Sequence, residues 1–238
     1  MNKSIIKIIT ILLVVIIIVQ IVSAIKNEKQ IVVNSVLLFW DIHCKINIIQ
    51  FLNDNTIEYK IINVKQDVGV VIKVRNNYYI LMEKHPQEYD NIHILLDSII
   101  ELIQNVNATS IISIATAGST VFNIGTVLQF NSALIQNFKE YSLKVNYVKG
   151  DKLLIKTENY IDTHIDDTKG FIPPLKNQVA AGQDEFVTFI VSNRLQIPSL
   201  SLTGISDNNN PKQYIDGGGE LSAKNAITFL FNNVNLLA

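Results

Sequence analysis

The sequence predicts an α/β protein: a three-layer sandwich with a mixed central sheet, preceded by an N-terminal hydrophobic segment. Three observations predict it. β-branched apolar runs alternate with stretches whose apolar residues recur at helical spacing, the pattern of strands covered by helices. An early hairpin, Gly69–Val74 and Tyr78–Met82 around Arg75-Asn76-Asn77, makes part of the sheet antiparallel. The 238 residues are 48% apolar and 17% charged, enough to bury one sizeable core and too few for two large domains.

Taken in order, the chain opens with a targeting segment over residues 1–25. Ile8 to Ile25 carries no charge and lies between Lys3/Lys7 and Lys26/Lys29. Val22-Ser23-Ala24 places small residues where a signal peptidase needs them. The stretch is close to the roughly 20 apolar residues that span a bilayer, so it reads as a signal peptide or a signal anchor. Lysines on both sides leave the orientation open. The protein is therefore expected to be secreted or lumenal, or held to a membrane by this one segment. Asn107-Ala108-Thr109 is a glycosylation sequon that matters only on the lumenal side.

The remaining domain, 31–238, starts with a β-branched run, Ile31–Phe39, read as the first buried strand. After the hairpin, Ile92, Leu95, Leu96, Ile99, Ile100 and Ile103 fall on one face of a helix over Asp90–Asn105. Thr109–Ala115 is a strand running into a tight transition at Thr116-Ala117-Gly118-Ser119. Gly125–Phe130 is another strand, and Val145–Ile155 holds a strand broken at Gly150-Asp151. His164–Asn177, with charges, Gly170 and Pro173-Pro174, reads as a loop or lid. Val179–Leu195 reads as largely helix and Leu200–Ser206 as a buried strand that delivers Asp207 to the open end of the sheet. Asn208–Gly219 is polar, and its Gly217-Gly218-Gly219 reads as a flexible connection into a closing helix, Leu221–Val234. These glycines lack the Lys-Ser/Thr of a phosphate loop.

Composition narrows the function. A formal net charge of −1 provides no field for nucleic acid. The single cysteine, Cys44, excludes an intrachain disulfide and a multi-cysteine zinc site, and the four histidines show no ligand spacing, so no metal or cofactor is expected. Arg75 and Arg194 are the only arginines, a poor supply of the forked donors that clamp phosphate.

The ends of three strands then converge in sequence terms: Thr116-Ala117-Gly118, the segment around Thr157–Ile161, and Asp207, with Asp184 at the start of the helix before it. This ordered set resembles the purine nucleoside phosphorylase and nucleosidase superfamily. Within it, the set looks most like methylthioadenosine/adenosylhomocysteine nucleosidase and the plant bark-storage-like proteins. Ile111–Ser119 looks like the family's strand ending in Ser/Thr-Ala-Gly. Gly125-Thr-Val-Leu128 looks like its Gly-Asp-hydrophobic strand, with Thr126 where Asp is usual. Tyr160-Ile161 falls where the family packs an aromatic on the purine, Gln183-Asp184 where it has Met-Glu, and Ser206-Asp207 matches its Ser-Asp pair.

The resemblance implies a nucleoside phosphorylase-like domain over 31–238 that takes a small-molecule purine nucleoside, assembles as a homo-oligomer and uses no cofactor. Asp207 would be the acid that protonates the leaving purine, and Asp184 would hold the ribose hydroxyls beside Gln183. Tyr160 and the Ile161 backbone would hold the base, and Thr116, Ala117 and Gly118 would hold the nucleophile, water or phosphate. The resembling nucleosidases carry a water-activating glutamate just after the first strand. Here that stretch is Trp40-Asp41-Ile42-His43-Cys44-Lys45, with Lys45 in the glutamate's register. Two functions follow: hydrolysis of a purine nucleoside's N-glycosidic bond, or a catalytically inactive exported protein that binds, stores or interacts on the same fold.

Overall fold

The computed structural model describes residues 31–32, 34–64, 68–135, 147–155, 161–164, 178–182, 184–208 and 210–237. The chain divides into two units, Met1–Ile31 and Val32–Ala238, and every described residue but Ile31 lies in the second. Segment 1–25, Tyr160, Gln183 and the greater part of the expected lid lie outside the described residues.

In chain order the elements are β1 (Ile31–Val32), β2 (Ser35–Phe39), α1 (Ile42–Asp54), β3 (Lys60–Ile62), β4 (Gly69–Val74), β5 (Asn77–Met82), α2 (Ile92–Asn105) and β6 (Ser110–Gly118). There follow β7 (Val127–Phe130), β8 (Ser132–Ile135), β9 (Tyr147–Lys149), β10 (Ile161–His164), β11 (Gln178–Ala180), α3 (Glu185–Leu195), β12 (Ser199–Asp207), α4 (Gly219–Asn233) and β13 (Val234–Asn235).

The main sheet has seven strands in the order β3-β4-β5-β2-β6-β12-β7. Its centre is parallel: β2 pairs with β5 and with β6, and β6 with β12. The edges are antiparallel, β3 on β4, β4 on β5 and β7 on β12, so the expected mixed sheet is present. A smaller sheet, β11-β10-β8-β9, was not separable in the sequence.

Alternation within the strands sends successive side chains to opposite faces. From β2, Val36 and Leu38 join Ile111, Ala115 and Ile205 on the face covered by α2 and α3. Leu37 and Phe39 join Ile112, Ile114, Leu200 and Leu202 on the face covered by α1 and α4. Helix, sheet, helix are the three layers. On α2, Ile92, Leu95, Leu96, Ile99, Leu102 and Ile103 are buried, each stabilising by roughly 1.5–3 kcal/mol relative to exposure. Asn91 starts this helix by accepting the His93 N–H at 3.0 Å.

Three expectations are corrected. The helix expected from Val179 begins only at Glu185, because Gln178–Ala180 is drawn into strand pairing with β10. The strand expected to stop at Ala115 continues to Gly118, because β12 pairs with it along Thr116–Gly118. The glycines 217–219 are a packed turn. Gly218 and Gly219 are buried, just past a kink at Asp216 and Gly217 between two helical stretches, where Gly217 has a φ of 112°. A Cβ on Gly219 would stand 2.7 Å from the His43 and Tyr214 rings, and one on Gly218 would overlap the Ser206 carbonyl oxygen.

Candidate active site at the carboxyl edge of the sheet

Because β5, β2, β6 and β12 are parallel, their carboxyl ends share one edge of the sheet, the place where open α/β sheets bind ligands. Asp207 ends β12 there. Its register against β6 slips between Ile205 and Asp207, a bulge that inserts Ser206 and re-aims the residue after it. Ser206 Oγ lies 3.1 Å from Ala117 O and 2.9 Å from Asp207 Oδ2, and the Asp207 carbonyl accepts the Ser119 N–H at 2.9 Å. The carboxyl group is thus held in place by its backbone and by one hydroxyl, and Asp207 stays partly exposed at the edge. Just beyond, the Asn208 side chain ties this strand end to the Ser119 and Phe122 carbonyls.

The Thr116–Gly118 turn is largely engaged in structure. Gly118 N–H donates to Ala181 O and Gly118 O accepts the Ala181 N–H, while Ala117 O receives Ser206. The half-buried Thr116 is the residue of the three whose side chain carries a polar group. Ile161 opens β10 in the smaller sheet, pairing with Ser132 and Gln178.

Asp184 stands just before α3 and is 3% exposed. Its N–H donates to Glu185 Oε2 at 3.3 Å. Glu185 is fully buried, and Oε1 accepts a hydrogen bond from Thr203 Oγ1 at 2.5 Å. The sequence reading had no role for Glu185. An acid immediately before the largely apolar run Phe186–Val191 was the available signal, since a buried carboxylate demands a partner.

The corner between β2 and α1 also turns out differently from its sequence. Lys45 Nζ donates to the Met82 carbonyl at the end of β5, 2.8 Å away. Asp41 caps α1, with Oδ1 accepting the His43 N–H at 2.7 Å and Oδ2 accepting the Tyr214 hydroxyl at 2.6 Å. The Tyr214 and His43 rings meet edge to face at 5.1 Å. Burial, the hydrogen bond to Asp41 and the charges of Asp41, Cys44 and Asp207 push the Tyr214 phenol well above its usual range. Burial, then the charges of Asp41, Asp184 and Glu185, does the same to the Cys44 thiol, which is inert as a nucleophile. Asp41 thus acts on both Tyr214 and Cys44, Asp207 on Tyr214, and Asp184 and Glu185 on Cys44.

His85, beyond the end of β5, is the other group the sequence reading missed. Burial holds its imidazole below the usual histidine range, against the charges of Asp41, Glu88 and Glu185 and with that of Lys45. Among the described residues no cluster could hold a metal ion. A groove of about 970 Å³, lined by Leu52, Tyr59, Lys60, Lys73 and Arg75 among others, lies at the opposite edge of the sheet and shares no residue with this site. Arg194 is likewise remote, 3.4 Å from Asp97 on the outer helices.

A mixed sheet between two helix layers, with a Ser-Asp pair delivered to its carboxyl edge, defines a three-layer α/β protein. Solved structures bear this out at the level of fold. Futalosine hydrolase from Helicobacter pylori superposes with a TM-score of 0.62 at 14% identity, covering 84% of this chain and 97% of that one. A mutant 5′-methylthioadenosine/S-adenosylhomocysteine nucleosidase from Helicobacter pylori, with 5′-methylthioadenosine in its active site, gives 0.61 at 14% identity, covering 86% and 97%. The S. pneumoniae 5′-methylthioadenosine/S-adenosylhomocysteine nucleosidase with a transition-state inhibitor gives 0.62 at 11%, covering 86% and 100%. No family model matches the sequence, and no curated protein sequence matches it. The likeness to these nucleosidase and futalosine hydrolase structures is one of fold.

Proposed function

We propose that this protein binds a purine nucleoside at the carboxyl edge of its sheet and hydrolyses the N-glycosidic bond. The observation that supports the reading is Asp207, which follows the bulge at Ser206 and ends β12 beside Gly118, itself bridged to Ala181 a short way before Asp184. Cleavage leaves positive charge on the sugar and negative charge on the purine. Asp207 donates a proton to the departing base, Asp184 binds the ribose hydroxyls beside Gln183, and Tyr160 with the Ile161 backbone holds the base. Thr116 orients the nucleophile, with the backbone of Ala117 and Gly118 shaping the wall around it. Four acids and no arginine at this edge disfavour a phosphate dianion, so water is the nucleophile in preference to phosphate.

The remaining features belong to the same proposal: segment 1–25 exports the domain or contacts a membrane, and the folded domain assembles as a homo-oligomer. A second reading, an inactive exported binding or storage protein, is favoured by Lys45 in the glutamate's register and by Asp41, whose two oxygens are both engaged.

Release of free base from adenosine, inosine and 5′-methylthioadenosine by the full-length protein, with and without phosphate, separates the readings. Hydrolysis predicts phosphate-independent release that falls by about 10²–10⁴ in Asp207→Asn. Unchanged release in that variant removes Asp207 from the mechanism. Nucleoside-induced thermal stabilisation without release selects the binding protein.

A further inference from the structure

A second concave surface lies away from the carboxyl edge: the groove of about 970 Å³ formed by the end of α1 and the β3–β4 side of the sheet. Its volume is in the range of small-molecule sites. One wall is apolar, made by the buried Leu52 and the half-buried Ile57 and Tyr59. The rest is charged. Lys60, Lys73 and Arg75 line it and are exposed, and Glu58 is the acid among its lining residues. The groove therefore holds an excess of two positive charges.

Two unfavourable local arrangements are kept there. Lys60 and Lys73 stand directly opposite each other in the β3–β4 ladder, where like charges repel. Arg75 is the first residue of the two-residue turn between β4 and β5, and its φ is 55°. That left-handed conformation suits glycine or asparagine, and the chain's asparagine, Asn76, comes one position later.

The fold gives these cations little else to do. Among the described residues none of the three pairs with a carboxylate, and Lys73 Nζ stands 5.4 Å from the centroid of the Tyr78 ring. The end of α1 does not need them, because the Phe51, Leu52 and Asn53 carbonyls already accept the N–H groups of Asn55, Ile57 and Thr56. A lysine on an edge strand deters pairing with another sheet, which accounts for Lys60. Lys73 is one strand further in and Arg75 is in a turn, so edge protection accounts for neither.

We propose that this groove is a second ligand site and takes an organic phosphate. The phosphate dianion lies against Lys60, Lys73 and Arg75, and the apolar or aromatic body of the ligand lies along Leu52, Ile57 and Tyr59. A dianion relieves the repulsion between the two lysines, and the Arg75 guanidinium offers forked donors to the phosphate oxygens. The formal net charge of −1 keeps the attraction local, which suits a small anion rather than a nucleic acid or a membrane surface. The groove shares no residue with the carboxyl-edge site, so the assignment stands or falls independently of nucleoside hydrolysis.

Isothermal titration calorimetry of the full-length protein with phenyl phosphate, inorganic phosphate and phenol tests it. Phenyl phosphate is expected to bind about 10-fold or more tightly than inorganic phosphate, and phenol not to compete with it. Lys73→Glu and Arg75→Gly are each expected to weaken phenyl phosphate by about 10-fold or more. Without ligand their Tm is expected to hold or rise, since the first places opposite charges across the ladder and the second relieves the turn. Lys224→Glu, the same charge change on the exposed side of α4, is expected to leave binding unchanged. No heat and no rise in Tm with phenyl phosphate at about 10 mM overturns the proposal. Binding that survives both groove variants overturns it as well, because the anion then sits elsewhere. A fall in Tm in both ligand-free variants shows that the cations serve the fold, and inorganic phosphate binding as tightly as phenyl phosphate removes the apolar wall from the site. Either result overturns the assignment as stated.

Discussion

Gly218→Ala tests how the site is held together. Gly218 lies in the turn that carries the chain from Asp207 into α4, and a Cβ there would overlap the Ser206 carbonyl oxygen and stand 2.7 Å from Gln213 O. Both neighbours are backbone, so no rotamer change makes room. Either the start of α4 or the Ser206–Asp207 peptide must shift. Inserting a methyl into such a site destabilises by typically about 1–3 kcal/mol, and backbone on two sides points to the upper end. For a domain of this size, each kcal/mol lowers Tm by about 2–4 °C, so the expected loss is about 6–12 °C.

Gly217→Ala is the internal control. It has nothing within 4 Å of a new Cβ but a φ of 112°, so it is strained by conformation alone, at about 1–2 kcal/mol. Differential scanning calorimetry of both variants gives the two values. Nucleoside-induced stabilisation reports the site, and Gly218→Ala is expected to weaken it while Gly217→Ala is not. If Gly218→Ala unfolds no earlier than Gly217→Ala, the close approach of this turn to Ser206 is not what positions the Ser-Asp pair.

Two further expectations follow from buried polar groups. Asn77 accepts the Ser35 N–H at 2.8 Å and donates to Leu236 O at 2.7 Å, joining the start of β2 to the C-terminal segment. Asn77→Ala leaves both backbone groups without that partner and is expected to lower stability by about 2–4 kcal/mol in urea denaturation, against less than 1 kcal/mol for the exposed Asn76→Ala. Burial, and for Tyr214 also Asp41, raises the folded phenol pKa of Tyr79 and Tyr214 above the unfolded value of about 10. The stability they contribute is therefore whole below about pH 10 and is lost as pH rises from there through the folded values. Absorbance of tyrosinate should show these two ionising only with unfolding, and native ionisation of all eight tyrosines near pH 10 would contradict it.

The elements legible in the sequence are those whose side chains report on their immediate surroundings. The α2 stripe from Ile92 to Ile103 and the buried runs of β6 and β12 follow from periodicity, because each residue there meets the core at a position fixed by local geometry. Asp207 was legible too, as an acid ending an apolar strand. α1 was not: Ile42 and Ile46 on it are 53% and 54% exposed, so apolar character does not mark its inner face. The glycines 217–219 misled for a different reason. Glycine suits both a loose linker and a turn packed against backbone, and which of the two it serves depends on what lies beside it.

By itself, the sequence determined the α/β class, the mixed sheet, the central strands and the acid that ends β12. Each rests on neighbours a few residues apart. The tertiary structure alone decided the company that acid keeps. Tyr214 reaches Asp41 across 173 residues of chain, Lys45 is drawn to Met82 O, Glu185 is sealed under Thr203, and His85 comes to the edge beside β2 because β5 is its parallel neighbour. Strand order and helix packing set those meetings, and they arise from the burial of the whole core rather than from any local pattern.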